Sequence, residues 1–325
     1  MNRTAAKFYA AGLTVRASAI YSADTAWLCA NRRRIEHWAS EFGLDVSDDL
    51  DADTGVFKPA LPSSNVECEI VVPFCQADAP FVVECLQSLA YQNYVRLTIH
   101  VVSDGAEWPD IPTFSDVRLV RYQTPGGWGP YEITNAVFRY CTAENFAIMD
   151  GDDIAYPNRL WKQFETLRHF KADVISSALE VFIDEGSKSD PDLIGRLRYE
   201  PICRPGKRFE NINPRGRTVN SMRSMTRSLF ADMNGFPKIY CTGDFLHDNC
   251  LNFSGANVIH DQEIKGKRRL HSGSLTGGPF KLGSDARNRD TARTIEVAKA
   301  MAAEPTREKA RTFGGLNQAR EIERL

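Results

Sequence analysis

The sequence predicts an α/β fold in which a mainly parallel sheet is flanked by helices, with helical extensions at both ends of the chain. Three observations lead there. Short apolar runs of strand length alternate with helix-length segments between residue 66 and about residue 182, and a strand–helix–strand succession implies parallel neighbours. Prolines stand where helices are expected to begin, at Pro80 and Pro157, a position where the missing N–H has no helical partner to lose. Two strands run directly into acidic turns, and an open parallel sheet binds its ligands outside the carboxyl ends of its strands.

Residues 1–64 read as a separate helical extension. Trp27, Leu28, Ile35, Trp38 and Phe42 recur at helical spacing, and the acidic run from Asp45 to Asp53, followed by Pro59 and Pro62, reads as a linker. The main domain is expected over residues 65–275. Cys68 to Phe74 is its first strand, and Asp78-Ala79-Pro80 is placed to cap the next helix, which runs through Leu89. Leu97 to Val102 and Val117 to Tyr122 are strands, Tyr131 to Tyr140 a helix, Phe146 to Met149 a strand and Pro157 to Phe170 a helix. A further strand covers Ala172 to Phe182. From about 185 to 217 no period survives among Pro, Gly, Arg and Asn, which predicts a long loop of the kind that tends to carry function. Val219 to Met225, a short helix ending before Gly235, a helix from Asp244 to Phe253 and strands near Val258 and Arg268 complete the domain. Residues 276–325 form a tail with two charged helical stretches, broken by Pro305 and Gly314-Gly315.

Composition narrows the function classes. The 325 residues are 42% hydrophobic and 25% charged, which excludes a disordered chain or a coiled coil. A net charge of −2 leaves no global field toward nucleic acid or anionic lipid, so any such contact is local. No uncharged apolar run reaches the ~18–20 residues of a spanning helix. Eight cysteines without a C-x-x-C pair read as reduced thiols, which predicts a cytoplasmic protein that is at most peripheral to a membrane.

The chemistry is expected at the strand ends. Ser103-Asp104-Gly105 follows one strand, and Asp150-Gly151-Asp152-Asp153 follows another. Three carboxylates in four residues repel one another unless a cation or hydrogen-bond donors compensate, and a hard divalent ion, Mn²⁺ or Mg²⁺, suits oxygen ligands. A surface turn with helix-capping aspartates is the structural alternative.

These residues resemble the opening of the family 2 glycosyltransferases, which have the Rossmann-like GT-A fold. The resemblance rests on the order Glu69 to Phe74, Cys85 to Leu89 with Gln92, Val101 to Gly105, Asn135, Ile148 to Asp153, and Pro157-Asn158-Arg159-Leu160 with Gln163. It covers residues 66–275. It implies an inverting, metal-dependent enzyme that takes a sugar from a nucleoside diphosphate sugar, a uridine diphosphate sugar first among them, and passes it to a hydroxyl of a glycan or glycolipid. Carried over by position, it sets Pro73 and Cys75 along the nucleotide, Asp104 on the base, Asp152 at the ribose with Asp150 supporting in the nucleotide-sugar site, and Asp152 and Asp153 on the metal. Asn135 joins the nucleotide-sugar site, although a satisfied helix residue explains it as well.

The second half completes the pattern. Gly243-Asp244 stands where the family has an acidic pair at a helix start, which makes Asp244 the base, with Asp248 one turn on as competitor. Arg268 and Arg269 are phosphate contacts by the same resemblance, and His271 a metal ligand. Nine basic residues (Arg196, Arg198, Arg204, Lys207, Arg208, Arg215, Arg217, Arg223 and Arg227) against Glu200 and Glu210 point to an acidic or phosphorylated acceptor, or to hydroxylated bases in DNA. Two other classes compete. A sugar-phosphate nucleotidyltransferase needs a Gly-rich loop after the first strand, which Phe74 to Asp78 lacks; a non-catalytic nucleotide-sugar-binding protein would fit the loss of the first acid at Gly243.

Overall fold

The computed structural model describes residues 25–47, 66–92, 95–114, 117–183, 220–271, 273–274 and 284–325. The sheet is built around β1 (Val66–Phe74), whose run of β-branched residues is buried on both faces, as parallel strands covered by helices require. Ile70, Val72 and Phe74 enter one apolar cluster and Val71 enters the other. β1 pairs in parallel with β2 (Val95–Asp104) on one side and β4 (Asn145–Ile148) on the other, and β2 pairs in parallel with β3 (Val117–Thr124). Beyond β4 the antiparallel β7 (Arg223–Thr226) leads to β6 (Val174–Ile183), which pairs in parallel with β8 (Val258–Leu270). β5 (Ile154–Ala155) lies against β8, and β9 (Glu323–Arg324) closes the other edge against β3. The mixed, mostly parallel sheet expected from the sequence is therefore present, in the order β5-β8-β6-β7-β4-β1-β2-β3-β9. β1, β2, β4, β6 and β8 all end on one edge.

Helices fill both faces. α1 (Thr25–Glu41), α2 (Val82–Ala90) and α4 (Arg159–Phe170) place Leu28, Ile35, Leu86, Leu89, Leu160 and Phe164 in the cluster around Ile70 and Val72. α3 (Gly129–Phe138), α5 (Arg227–Asp232) and α6 (Gly243–Phe253) supply Val137, Phe138, Phe230 and Leu246 to the cluster around Val71 and Val102. The N-terminal segment thus shares the core of the sheet through its helix.

Three expectations are refined. The strands near Val258 and Arg268 are a single strand, because the charges along it pair off: Lys265 lies against Asp261 and Glu263, and Lys162 of α4 reaches Glu263. The tail holds α7 (Asp285–Ala303) and α8 (Arg307–Arg311) as expected, yet ends as the strand β9. Asp78 does not cap α2, whose N-cap is Phe81; its carboxylate accepts the Cys75 N–H instead. The expectations for residues 1–24, the linker before 65 and the loop from 185 to 217, as well as the side chain of Trp27, lie outside the described residues.

The tail is bolted to the domain by Asn234, which adopts a left-handed φ of 59°. Its amide donates to the carbonyls of Gly314 and Arg311, and its oxygen accepts the Asn317 N–H. Asn234→Ala loses these bonds and strains the backbone, so it should lower unfolding free energy by about 2–4 kcal/mol in a denaturant titration.

Candidate active site

At the carboxyl edge of the sheet three segments converge. The turn after β4 carries Asp150 to Asp153. It approaches β1 so closely that a Cβ on Gly151 would sit 2.8 Å from Phe74 Cβ and 2.9 Å from the Pro73 carbonyl oxygen. The turn after β1 carries Asp78, and the end of β8 carries Arg268 to His271. His271 Nε2 lies 3.1 Å from Asp152 Oδ2 and 3.6 Å from Asp78 Oδ1, with its ring against Phe81. One ligand atom from each of Asp78, Asp152 and His271 falls within 4.8 Å of the others. Two carboxylates and an imidazole are a donor set that fits a divalent ion. Asp78 is the member that sequence reasoning passed over.

Asp153 takes a different place. It is buried, its Oδ1 accepts the Arg269 N–H at 3.0 Å, and its Oδ2 has no hydrogen-bond partner among the described residues. Burial first, then the charges of Asp152 and Asp150, push its carboxyl well above the usual range. Asp150 Oδ1 accepts from Asn220 at 3.3 Å. Burial pushes Asp150 up to about 7, Asp152 adds to the shift, Arg268 opposes it, and the charges of Asp78 and Asp244 raise it further. The edge therefore holds more negative charge than its own cations offset, which is the condition that favours binding a cation.

The two arginines divide their tasks. The Arg269 guanidinium lies between the rings of Phe81 and Phe182, donates to the Asp152 carbonyl and pairs with Glu84. It braces the acidic turn. Arg268, next along the strand, is the one whose charge acts on Asp150 and Asp153.

Pro73 and Cys75 stand at the mouth of β1, Pro73 inside the strand and Cys75 exposed beyond its end. Asp104, at the end of β2, accepts from the Thr124 hydroxyl at 2.6 Å and from the N–H groups of Trp128 and Gly129. It thereby anchors the start of α3. Asn135 meets both backbone groups of Phe236, donating to its carbonyl at 2.9 Å and accepting its N–H at 2.8 Å. It is a strut between α3 and the segment that leads into α6.

The structure separates the two candidate bases. Asp248 is buried and takes a charged hydrogen bond of 2.7 Å from the buried Arg223. Burial and the Arg223 charge hold the neighbouring His247 well below its ordinary value. Asp244, in the first turn of α6, is partly exposed, and its Oδ1 accepts the Phe245 N–H at 2.8 Å. The chain before it is fixed by α7, through Asp290 to the Cys241 N–H and Thr294 to Thr242.

The missing first acid has a steric explanation, since a Cβ on Gly243 would meet the Tyr131 ring at 2.5 Å. Of the nine basic residues, Arg223 and Arg227 are described. Arg223 is the partner of Asp248, and Arg227 donates to the Cys141 carbonyl and lies over Phe138; the other seven lie outside the described residues.

Two predictions follow from these contacts. Asp248→Ala removes the carboxylate paired with the buried Arg223 and should cost about 3–5 kcal/mol of stability in chemical denaturation, whereas Asp244→Asn should leave the melting temperature near that of the parent. Gly243→Ala should destabilise by about 1–3 kcal/mol through overpacking, and a double-mutant cycle with Tyr131→Ala should show coupling between the two positions.

Among the described residues no helix is long and apolar enough to cross a membrane. No curated protein sequence matches the chain. The fold is similar to that of S. aureus TarS residues 1–349 in complex with UDP-GlcNAc, at 14% identity and a TM-score of 0.52, over 78% of this chain and 74% of that one. It is similar also to the mannosyltransferase PcManGT from Pyrobaculum calidifontis in complex with GDP-Man and Mn²⁺, at 16% identity and a TM-score of 0.52, over 95% and 81% of the two chains. At these identities the likeness is one of fold, the GT-A fold. Residues 69–233, half of the chain, match the model for glycosyl transferase family 2, and the chain belongs to that family as a glycosyltransferase.

Proposed function

We propose that the protein moves a sugar from a nucleoside diphosphate sugar to an acceptor hydroxyl with inversion, in a reaction that depends on Mn²⁺ or Mg²⁺. One observation carries this reading: Asp78, Asp152 and His271 converge at the carboxyl edge of the sheet. Asp152, His271 and Asp78 would hold the ion, and its charge would favour ionisation of Asp153 and Asp150 behind them. When bound, the ion supplies Lewis-acid stabilisation of the diphosphate that leaves.

The chain's own residues do the rest. Arg268 faces the diphosphate, and Arg269 keeps the acidic turn in register through the Asp152 carbonyl. Pro73 and Cys75 line the nucleotide, and Asp104 and Asn135 shape its walls by fixing α3. Asp244 takes the proton of the acceptor hydroxyl as that oxygen attacks the anomeric carbon from the face opposite the leaving diphosphate. Gly243 does not argue for a binding protein that has lost its chemistry, because Tyr131 fills the space of a larger residue there and Asp244 itself is kept.

The neighbouring structures hold UDP-GlcNAc in one case and GDP-Man in the other, which supports a nucleotide sugar as donor and leaves a uridine diphosphate sugar the first to test. For the acceptor we infer a hydroxyl of a glycan or glycolipid, met on the cytoplasmic side, and the basic composition of the stretch from Arg196 to Arg217 favours one that carries acidic groups. Residues 65–275 carry the chemistry in this reading, and the flanking segments support it.

Two measurements test the proposal. Asp244→Asn should lower transfer about 10²–10⁴-fold while donor affinity stays near that of the parent; parental turnover would place the base elsewhere. Asp152→Ala should abolish Mn²⁺-dependent binding of UDP-sugars in calorimetry, and unchanged binding would remove the metal assignment.

A further inference from the structure

A second cluster of ligating side chains lies on the same sheet, toward the opposite edge from the acidic turn. Glu69 of β1, His100 of β2 and Cys141, just beyond α3, are all buried. One ligand atom from each lies within 4.8 Å of the others. In each of the first two residues the remaining polar atom is already fixed. Glu69 Oε2 accepts the N–H groups of Thr142 and Ala143 at 2.6 and 3.0 Å. His100 Nδ1 is hydrogen-bonded to the Tyr122 hydroxyl at 3.0 Å. This leaves Glu69 Oε1 and His100 Nε2 facing each other at 3.5 Å. His100 is 3% exposed, and its Nε2 makes no hydrogen bond among the described residues.

We propose that Glu69, His100 and Cys141 form a zinc-class metal site, separate from the donor site. Thiolate, imidazole and carboxylate together suit Zn²⁺ far better than a hard ion such as Mg²⁺. Zinc bond lengths set ligand atoms about 3.3–3.8 Å apart in a tetrahedron, a spacing that Glu69 and His100 already have. The outer partners have the arrangement expected around a metal: a proton on Nδ1 directed at Tyr122 turns the Nε2 lone pair toward the cluster, and two backbone N–H groups fix the carboxylate. Binding displaces the Cys141 thiol proton to solvent and ties the end of α3 to β1 and β2. The role is structural, since the cluster lies away from the acidic turn. The competing arrangement is a buried Glu69–His100 ion pair beside an inert thiol.

Cobalt(II) as a spectroscopic probe separates the two on the full chain, reduced and stripped with chelator. One equivalent should give thiolate-to-cobalt absorption in the near ultraviolet, which the carboxylates and imidazole of Asp78, Asp152 and His271 do not produce. Cys141→Ser should lose the band, and Cys75→Ser, which removes the exposed thiol, should keep it. Zn²⁺ alone should raise the melting temperature of the parent, and Tyr122→Phe should weaken Zn²⁺ binding about 10–100-fold. A parent without the band, or a band that survives in Cys141→Ser, overturns the site. Should Cys141→Ser fail to fold, His100→Gln reads the same band, and its persistence there overturns the site equally.

Discussion

The geometry of the acidic edge depends on one side chain, Arg269. It reaches three elements at once: its own strand β8, the helix α2 through Glu84 and Phe81, and the turn after β4 through the Asp152 carbonyl. Its backbone N–H meanwhile occupies Asp153. A guanidinium suits this post because its planar fork stacks on aromatic faces and donates within its plane, which an ammonium does not do. That brace works with His271 on Asp152 and Asn220 on Asp150 against the repulsion among Asp150, Asp152 and Asp153. The arginine spends its charge on holding carboxylates close together, which leaves their remaining field for a ligand.

Close backbone approach is the second constraint. Gly151 lets the acidic turn lie on the end of β1, and Gly243 lets α6 begin against Tyr131. In both places the glycine serves by having no side chain, and the neighbour that fills the space is an aromatic residue or backbone that cannot give way cheaply. The candidate base is thus carried on a helix whose start is fixed from three sides, by Tyr131, by Asp290 and by Thr294. A proton acceptor held this firmly loses little entropy in reaching its working geometry.

Much of this was legible in the sequence where neighbours along the chain decide the outcome. The strands, the helices that begin just after Pro80 and Pro157, and the clustered aspartates all follow from local pattern and from the rule that parallel sheets work at their carboxyl edge. What escaped depends on distant partners. Asp78 has the local signature of a helix cap, and only the fold brings His271 beside it. Asn135 has the look of a site residue, yet Phe236 satisfies both ends of its amide. The continuity of β8 between the strands expected near Val258 and Arg268 escaped because a run of Lys, Glu and Asp contradicts strand propensity until its charges pair along the strand and with Lys162. Asp244 and Asp248 share one helix and one residue type, and nothing local could reveal that Arg223 claims the second.

The last strand has a consequence for how the protein is made. β9 pairs Tyr122 with Arg324 and Gln123 with Glu323, and the Leu325 N–H donates to the Arg121 carbonyl, so the C-terminal residues cover the free edge of β3. During synthesis β9 emerges long after β3, while domains fold from the N-terminus onward. Until they arrive, β3 offers unpaired N–H and C=O groups to any strand that comes by. The nascent protein is therefore exposed to wrong pairing along β3 until β9 has emerged, and the docking of β9 is the event that covers that edge.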